Sequence, residues 1–192
     1  WEKGVIPVYV DETAASIIEL KPDIVVDAIV AKKNLGTHIN MAPLTIALGP
    51  GFEAGKDVDA VIETMRGATL GKIYREGSAL PNTGVPGMIG GYAEERVIHS
   101  PADGKIRAVC RVGDRVHKGE VLGFVGEKPV CAAIDGILRG LIRDGFEVEK
   151  GLKIMDIDPR TDELNNCFLI SDKAKKIAGS VYEAVRTWEE ER

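Results

Sequence analysis

Hydrophobic and polar positions divide the 192 residues into segments of different texture. At the start, Val5, Ile6, Val8, Tyr9 and Val10 make a strand-like run, with Pro7 pointing to an edge or strand-end position. A short helix is expected next, with Ala14, Ile17, Ile18 and Leu20 as its apolar positions, Asp11 or Thr13 as its cap and Pro22 as its stop. Asp23 to Val30 (DIVVDAIV) is nearly continuous in apolar residues, as in a strand buried on both faces. Strand, helix and strand together predict a βαβ unit.

Residues 34–91 alternate short apolar runs with glycine-bearing loops. Thr45 to Leu48 reads as a strand that runs into Gly49-Pro50-Gly51-Phe52. From Asp57 to Met65 the apolar positions are Val58, Val61, Ile62 and Met65, a helical spacing with an acidic residue at its start. A helix is therefore expected there, closed by Arg66-Gly67. Leu70 to Tyr74 predicts another strand, and Pro81-Asn82-Thr83-Gly84-Val85-Pro86-Gly87 a loop.

An internal repeat begins near residue 97. Pro101 to Val125 reads PADGKIRAVCRVGDRVHKGEVLGFV, and Ala133 to Ile157, 32 residues on, reads AIDGILRGLIRDGFEVEKGLKIMDI. Asp103, Gly104, Arg107, Arg111, Gly113, Val116, Lys118 and Gly119 all recur, eight identities in 25 ungapped positions. Each copy has short β-rich runs broken by Asp-Gly and Lys-Gly turns. Two such copies can close on each other and so protect their sheet edges. The pattern resembles the biotinyl/lipoyl-type barrel-sandwich hybrid. Beyond it, Ser171 reads as the N-cap of a helix with Ala174, Ile177, Ala178, Val181, Val185 and Trp188 on one stripe.

Composition narrows the class. The chain has 22 glycines but only ten aromatic residues, and it is 44% hydrophobic, so its core is aliphatic and its turns are many. A net charge of -5 argues against nucleic acid as a partner. No apolar run approaches the ~18 residues of a membrane span. Three cysteines are too few for a disulfide scaffold, and Cys110 and Cys131, in apolar stretches, are expected to be buried thiols. No signal peptide opens the chain, and its start at Trp1 rather than Met predicts a longer parent; a cytoplasmic location is expected.

Candidate chemistry follows from spacing. Lys128, between the two repeats, stands where a swinging-arm carrier would hold its modified lysine, but neither a Met-Lys-Met-like nor an Asp-Lys-Ala-like tip surrounds it. No G-x-G-x-x-G follows the first strand, and in Gly49-Pro50-Gly51 with Gly55 the proline has no amide to donate. His38, His99 and His117 are scattered, without zinc-ligand spacing. What remains is a set of polar, glycine-bearing loops: Gly36 with Asn34, Thr37 and Asn40; Gly49, Gly51 and Gly55; Glu63 and Arg66; Asn82, Thr83 and Gly84. Such residues either hydrogen-bond their own turns or hold an anionic, polar ligand such as a nucleotide or pterin phosphate.

The run Leu48-Gly49-Pro50-Gly51-Phe52-Glu53-Ala54-Gly55-Lys56-Asp57, then Glu63-Thr64-Met65-Arg66-Gly67, Leu70-Gly71-Lys72, Asn82-Thr83-Gly84-Val85-Pro86-Gly87 and Gly90-Gly91, resembles the YqeB-type family of accessory proteins of the selenium-dependent molybdenum hydroxylase system. The repeat and Cys167-Phe168-Leu169-Ile170-Ser171-Asp172-Lys173-Ala174 extend the likeness over nearly the whole chain. The resemblance implies a role in maturing molybdenum hydroxylases rather than in catalysing hydroxylation, and it assigns no catalytic residue. It also implies an additional nucleotide-type βα segment at the start, which this sequence lacks, as a truncated or processed fragment would.

The expected architecture is thus α/β plus β. A partial Rossmann-like α/β domain (1–96) precedes a duplicated barrel-sandwich hybrid (97–158), and a C-terminal segment with an amphipathic helix (159–192) packs on the α/β domain. The expected ligand is a molybdopterin dinucleotide or a nucleotide. Expected partners are a molybdenum hydroxylase or its maturation machinery and a second copy of the chain, with no nucleic acid and no membrane. The alternatives are a biotinyl/lipoyl-type carrier and a purely structural adaptor.

Overall fold

The computed structural model describes residues 4–162 and 164–192. The protein is mixed α/β, mostly sheet, with a long helix at its C-terminus. It divides into two units, Trp1–Asn82 with Asp172–Arg192, and Thr83–Ser171.

Unit 1 holds one open four-stranded sheet in the order β1 (Ile24–Asp27), β2 (Leu44–Leu48), β3 (Ala60–Ile62), β4 (Ile73–Tyr74). The first three strands are parallel, and β4 is antiparallel to β3. Alternation sets the two faces of the sheet. Leu44, Ile46, Ala60 and Ile62 point to one side, where Ile177, Val181, Ala184, Val185 and Trp188 of α2 (Asp172–Glu190) cover them. Ala47 and Val61 point to the other, under Phe52, Ala54, Val58 and Ala79. Both faces are buried, so the central strands read as apolar runs broken only by Thr45.

Four expectations fail or shrink here, each for a physical reason. Residues 5–10 form no strand, and Val8 and Val10 are 90% and 99% exposed. Pro7 removes a ladder donor, and α1 (Ala15–Leu20) buries none of its residues, so it is no crossover helix holding a βαβ unit to the sheet. The strand expected over 23–30 stops at Asp27, because the backbone turns left-handed at Val30 and Lys32. The helix expected over 57–65 is instead the strand β3. Its spacing fits both forms, but the contiguous run Ala60-Val61-Ile62 is wholly buried between β2 and β4, which a helix with one wet face would not allow. The strand over 70–74 also shortens to Ile73–Tyr74, because Thr69 to Lys72 close a turn.

Unit 2 holds two open four-stranded sheets. One runs β5 (Val97–His99), β12 (Lys153–Asp158), β10 (Gly136–Leu141), β7 (Arg115–Val116). The other runs β9 (Lys128–Cys131), β8 (Val121–Val125), β6 (Gly104–Ala108), β11 (Glu147–Val148). The 32-residue shift carries β5 to β9, β6 to β10, β7 to β11 and β8 to β12, so each sheet is the other's counterpart. Hydrogen bonds between the copies repeat too. Asp103 Oδ1 accepts from Lys150 N at 2.7 Å, and Asp135 Oδ1 from Lys118 N at 2.8 Å. Gly145 N donates to Ile106 O, and Gly113 N to Leu138 O, both at 2.8 Å. Every one of these bonds joins one copy to the other, and one core of Ile106, Leu122, Val125, Leu138, Ile154, Ile157 and their neighbours draws on both sheets.

Candidate functional site

The parallel strands β1, β2 and β3 release their loops at one edge of the sheet. Ile62 lies opposite Leu48, so Gly49-Pro50-Gly51 and Glu63-Thr64-Met65-Arg66 leave side by side. Their fit is close: a Cβ placed on Gly49 would stand 2.6 Å from Thr64 Oγ1. On Gly51, at φ +108°, it would stand 2.6 Å from the backbone Cα of Lys33. Only glycine lets the three loops touch this way. Asp27, the buried last residue of β1, accepts from the Thr37 hydroxyl at 2.6 Å and so fixes the next loop to the same edge.

Glu63 is fully buried at this edge. Its Oε1 accepts from Met65 N at 2.8 Å and its Oε2 from Leu80 N at 2.9 Å, which pins both segments. Burial, and then the Glu63 carboxylate, push the Tyr74 phenol above its ordinary value. Lys173, in the first turn of α2, faces the same group. Burial, and then the charges of Arg66 and Lys32, hold its ammonium below the ordinary lysine value, and Glu63 pulls the other way.

The residues singled out from sequence distribute as follows. Gly49, Gly51, Glu63 and Arg66 share the carboxyl edge. Thr37 is tied to Asp27, while Gly36, at φ +131°, donates its N–H to Asn34 Oδ1 at 2.8 Å in a turn of its own. Gly55 closes a separate turn, donating to Val58 O at 2.8 Å. Asn40 belongs to the opposite edge, where it lines a groove of about 850 Å³ with Ile17, Ile18, Pro22, Asp23 and Met41. Asn82 ends the first stretch of unit 1, and Thr83 and Gly84 open unit 2. Thr83 Oγ1 there accepts from Val85 N at 3.3 Å. Lys32 and Lys173 were not singled out. A lysine in a loop and another some 140 residues later carry no shared sequence signal, and only the course of α2 unites them.

In unit 2, Lys128 is exposed and opens β9 directly after the Gly126-Glu127 turn. Cys110 is half-buried and donates to Leu122 O at 3.0 Å; burial pushes its thiol up, and burial does the same to Cys167. Cys131, expected to be buried, is exposed, because Val130 takes the inward position on β9 and the next side chain must face out. Asp158 is buried between Arg160 and Arg139, whose guanidinium groups lie 2.7 and 3.0 Å from its Oδ2. The Arg160 hydrogen bond leads in holding its carboxyl down to about 2. Among the described residues no three His, Cys, Asp or Glu side chains converge to hold a metal, and no helix is long and apolar enough to cross a membrane.

No protein-family model matches the chain. Among solved structures, it is similar to an aspartoacylase family protein from Mesorhizobium loti (19% identity, TM-score 0.31), covering 33% of this chain and 23% of that one. A succinylglutamatedesuccinylase/aspartoacylase from Rhodobacter sphaeroides gives 19% and 0.29, over 33% and 21%. The ectoine utilization protein EutE (DoeB) from Ruegeria pomeroyi gives 18% and 0.29, over 45% and 28%. At these scores no fold or activity carries over. In sequence, the chain is 52% identical over 184 residues to the uncharacterized protein YqeB of Escherichia coli K12. That match takes in 96% of this chain and 34% of the relative. Over almost its whole length, then, the chain is similar to YqeB, and it spans about a third of that E. coli relative.

Proposed function

We propose that this chain is part of an accessory protein that matures selenium-dependent molybdenum hydroxylases. In this reading it holds an anionic, nucleotide-like ligand, a molybdopterin dinucleotide or a nucleotide, in the glycine loops of unit 1. The observation that carries it is the seating of Gly49–Gly51 against Thr64 and the Lys33 backbone, at the carboxyl edge of parallel strands. Open α/β sheets take their ligands at that edge, where glycine lets a backbone come close to an anion. The family motifs that imply maturation include this same loop. Unit 2, with its paired copies and single core, serves in this reading as a barrel-sandwich hybrid that contacts the hydroxylase or its maturation machinery.

The protein acts here as a maturation factor and not as the hydroxylase, and it works in the cytoplasm. The test is activation of the partner hydroxylase in cells that depend on this protein. Arg66→Ala is expected to abolish activation, and Lys128→Arg to leave it intact, since no carried group is needed. Full activation with Arg66→Ala overturns the ligand loops. Loss with Lys128→Arg returns the carrier role. In vitro, purified molybdenum cofactor is expected to raise the melting temperature of the wild-type chain and not of the Arg66→Ala chain.

A further inference from the structure

Lys32, Arg66 and Lys173 come to the carboxyl edge of the sheet from three parts of the chain. The backbone of Lys33, next to Lys32, packs on Gly51, and Arg66 follows Thr64, which packs on Gly49. Lys173 arrives by the direction of α2. At the far end of that helix Arg192 pairs with Asp23 at 3.2 Å, just ahead of β1, so the helix C-terminus lies at the amino edge of the sheet. Nineteen helical residues span about 28 Å, whereas a five-residue strand spans about 17 Å. The apolar stripe from Ile177 to Trp188 keeps the helix on β2 and β3 along that course. Its first turn therefore lies at the carboxyl edge, beside the loops that carry Lys32 and Arg66.

Three cations gathered this way repel one another. Glu63, the carboxylate that acts on Lys173, already accepts backbone N–H groups with both oxygens, and Asp27 at the same edge is taken by the Thr37 hydroxyl. Among the described residues, Lys32, Arg66 and Lys173 form no ion pair. The three cations are held near one another by the fold and not by mutual attraction. A folded chain tolerates such a grouping of cations where an anionic ligand meets it. A planar guanidinium and two ammonium groups match a dianionic, multi-oxygen group better than a single carboxylate.

We infer that Lys32, Arg66 and Lys173 form a subsite for a phosphate or pyrophosphate group, with the Gly49–Gly51 loop as its floor. This deepens the reading of unit 1 as an anion-binding domain and rests on it. The subsite brings in two lysines that the loop motifs leave out, and it places the ligand's phosphates at the carboxyl edge of the sheet.

The experiment measures binding of inorganic pyrophosphate and of ADP to the purified chain by calorimetry, alongside thermal unfolding. Lys32→Gln, Arg66→Gln and Lys173→Gln are compared with Lys175→Gln, which removes the same charge from an exposed position on the same helix. Each cluster variant is expected to weaken both probes about tenfold or more, as loss of one charge-assisted hydrogen bond does, with Lys175→Gln within about twofold of wild type. Tighter ADP than pyrophosphate binding would mark the phosphates as those of a nucleotide; equal affinities would mark a free pyrophosphate site. The melting temperature of each cluster variant should hold or rise, because a repulsion is removed. A lysine with a purely structural role would lower it. No binding of either probe to wild type, or equal weakening by all four variants, overturns the subsite. Hydroxylase activation in cells is read separately: variants that lose pyrophosphate yet still activate leave the subsite standing and sink its part in maturation.

Discussion

Gly51→Ala and Gly36→Ala differ in one respect that makes them a matched pair. Both glycines hold positive φ, +108° and +131°, so alanine at either is strained by about 1–2 kcal/mol. A Cβ on Gly36 would meet nothing within 4 Å. On Gly51 it would stand 2.6 Å from Lys33 Cα and 2.8 Å from Lys33 N, against the roughly 3.4 Å at which ordinary contact begins. The loop backbone at Lys33, not a pliant side-chain tip, would then have to move by about 0.8 Å, and overpacking of this kind costs about 1–3 kcal/mol more. Gly36→Ala is therefore expected to lose about 1–2 kcal/mol and Gly51→Ala about 2–5 kcal/mol. Urea unfolding read by the fluorescence of Trp188, which packs in the same unit, separates the two. Gly49→Ala should fall between them, since its obstacle is the rotatable Thr64 hydroxyl. A Gly51→Ala loss within about 0.5 kcal/mol of the Gly36→Ala loss would refute the close seating of the loops.

In unit 2, Asp103→Ala and Asp135→Ala should cost the same, about 1 kcal/mol each, because each removes the counterpart of one side-chain–backbone bond; unequal losses in urea titrations would break the pairing of the copies. Leu138→Ala, at a fully buried core position, is expected to cost about 2–5 kcal/mol, measured by the same method. Asp158 should make stability depend on pH. Its carboxyl is held from 3.8 down to about 2, so its contribution is complete above about pH 4 and fades as pH falls through 2. The shift corresponds to on the order of 2 kcal/mol. Asp158→Asn should lower stability at pH 7 and flatten the acid limb between pH 4 and 2; an unchanged limb would show that other carboxylates carry it.

Some elements are legible in the sequence because local pattern and tertiary need agree. The stripe of Ile177, Val181, Val185 and Trp188 keeps helical spacing over several turns, and it is the face that packs on the sheet. The repeat is legible because its recurring Asp and Gly residues perform the same backbone task in both copies. Other elements hide because tertiary contact decides between two forms. Val58, Val61, Ile62 and Met65 satisfy a helical period, yet Val61 and Ile62 belong to a three-residue strand, and only a neighbour on each side settles it. Val5 to Val10 has strand-like residues, yet propensity records a fit to a pleated, half-buried surface, and that run meets no such surface.

The glycine-rich edge shows the same division at the level of chemistry. Gly49, Gly51 and Arg66 are visible as a motif because close backbone approach and fixed charge both restrict residue type at a single position. Glu63 is visible for a different reason from the one its charge invites: its carboxylate is spent on Met65 N and Leu80 N, so it shapes the loops and does not face outward. Lys173 is invisible because its position depends on a helix that starts after the whole of unit 2 has intervened, and on a direction fixed at the other end by Arg192 and Asp23. A site made from distant parts of a chain cannot appear as one motif. It appears only when a sheet edge collects the loops and a helix of sufficient length delivers the remaining cation to them.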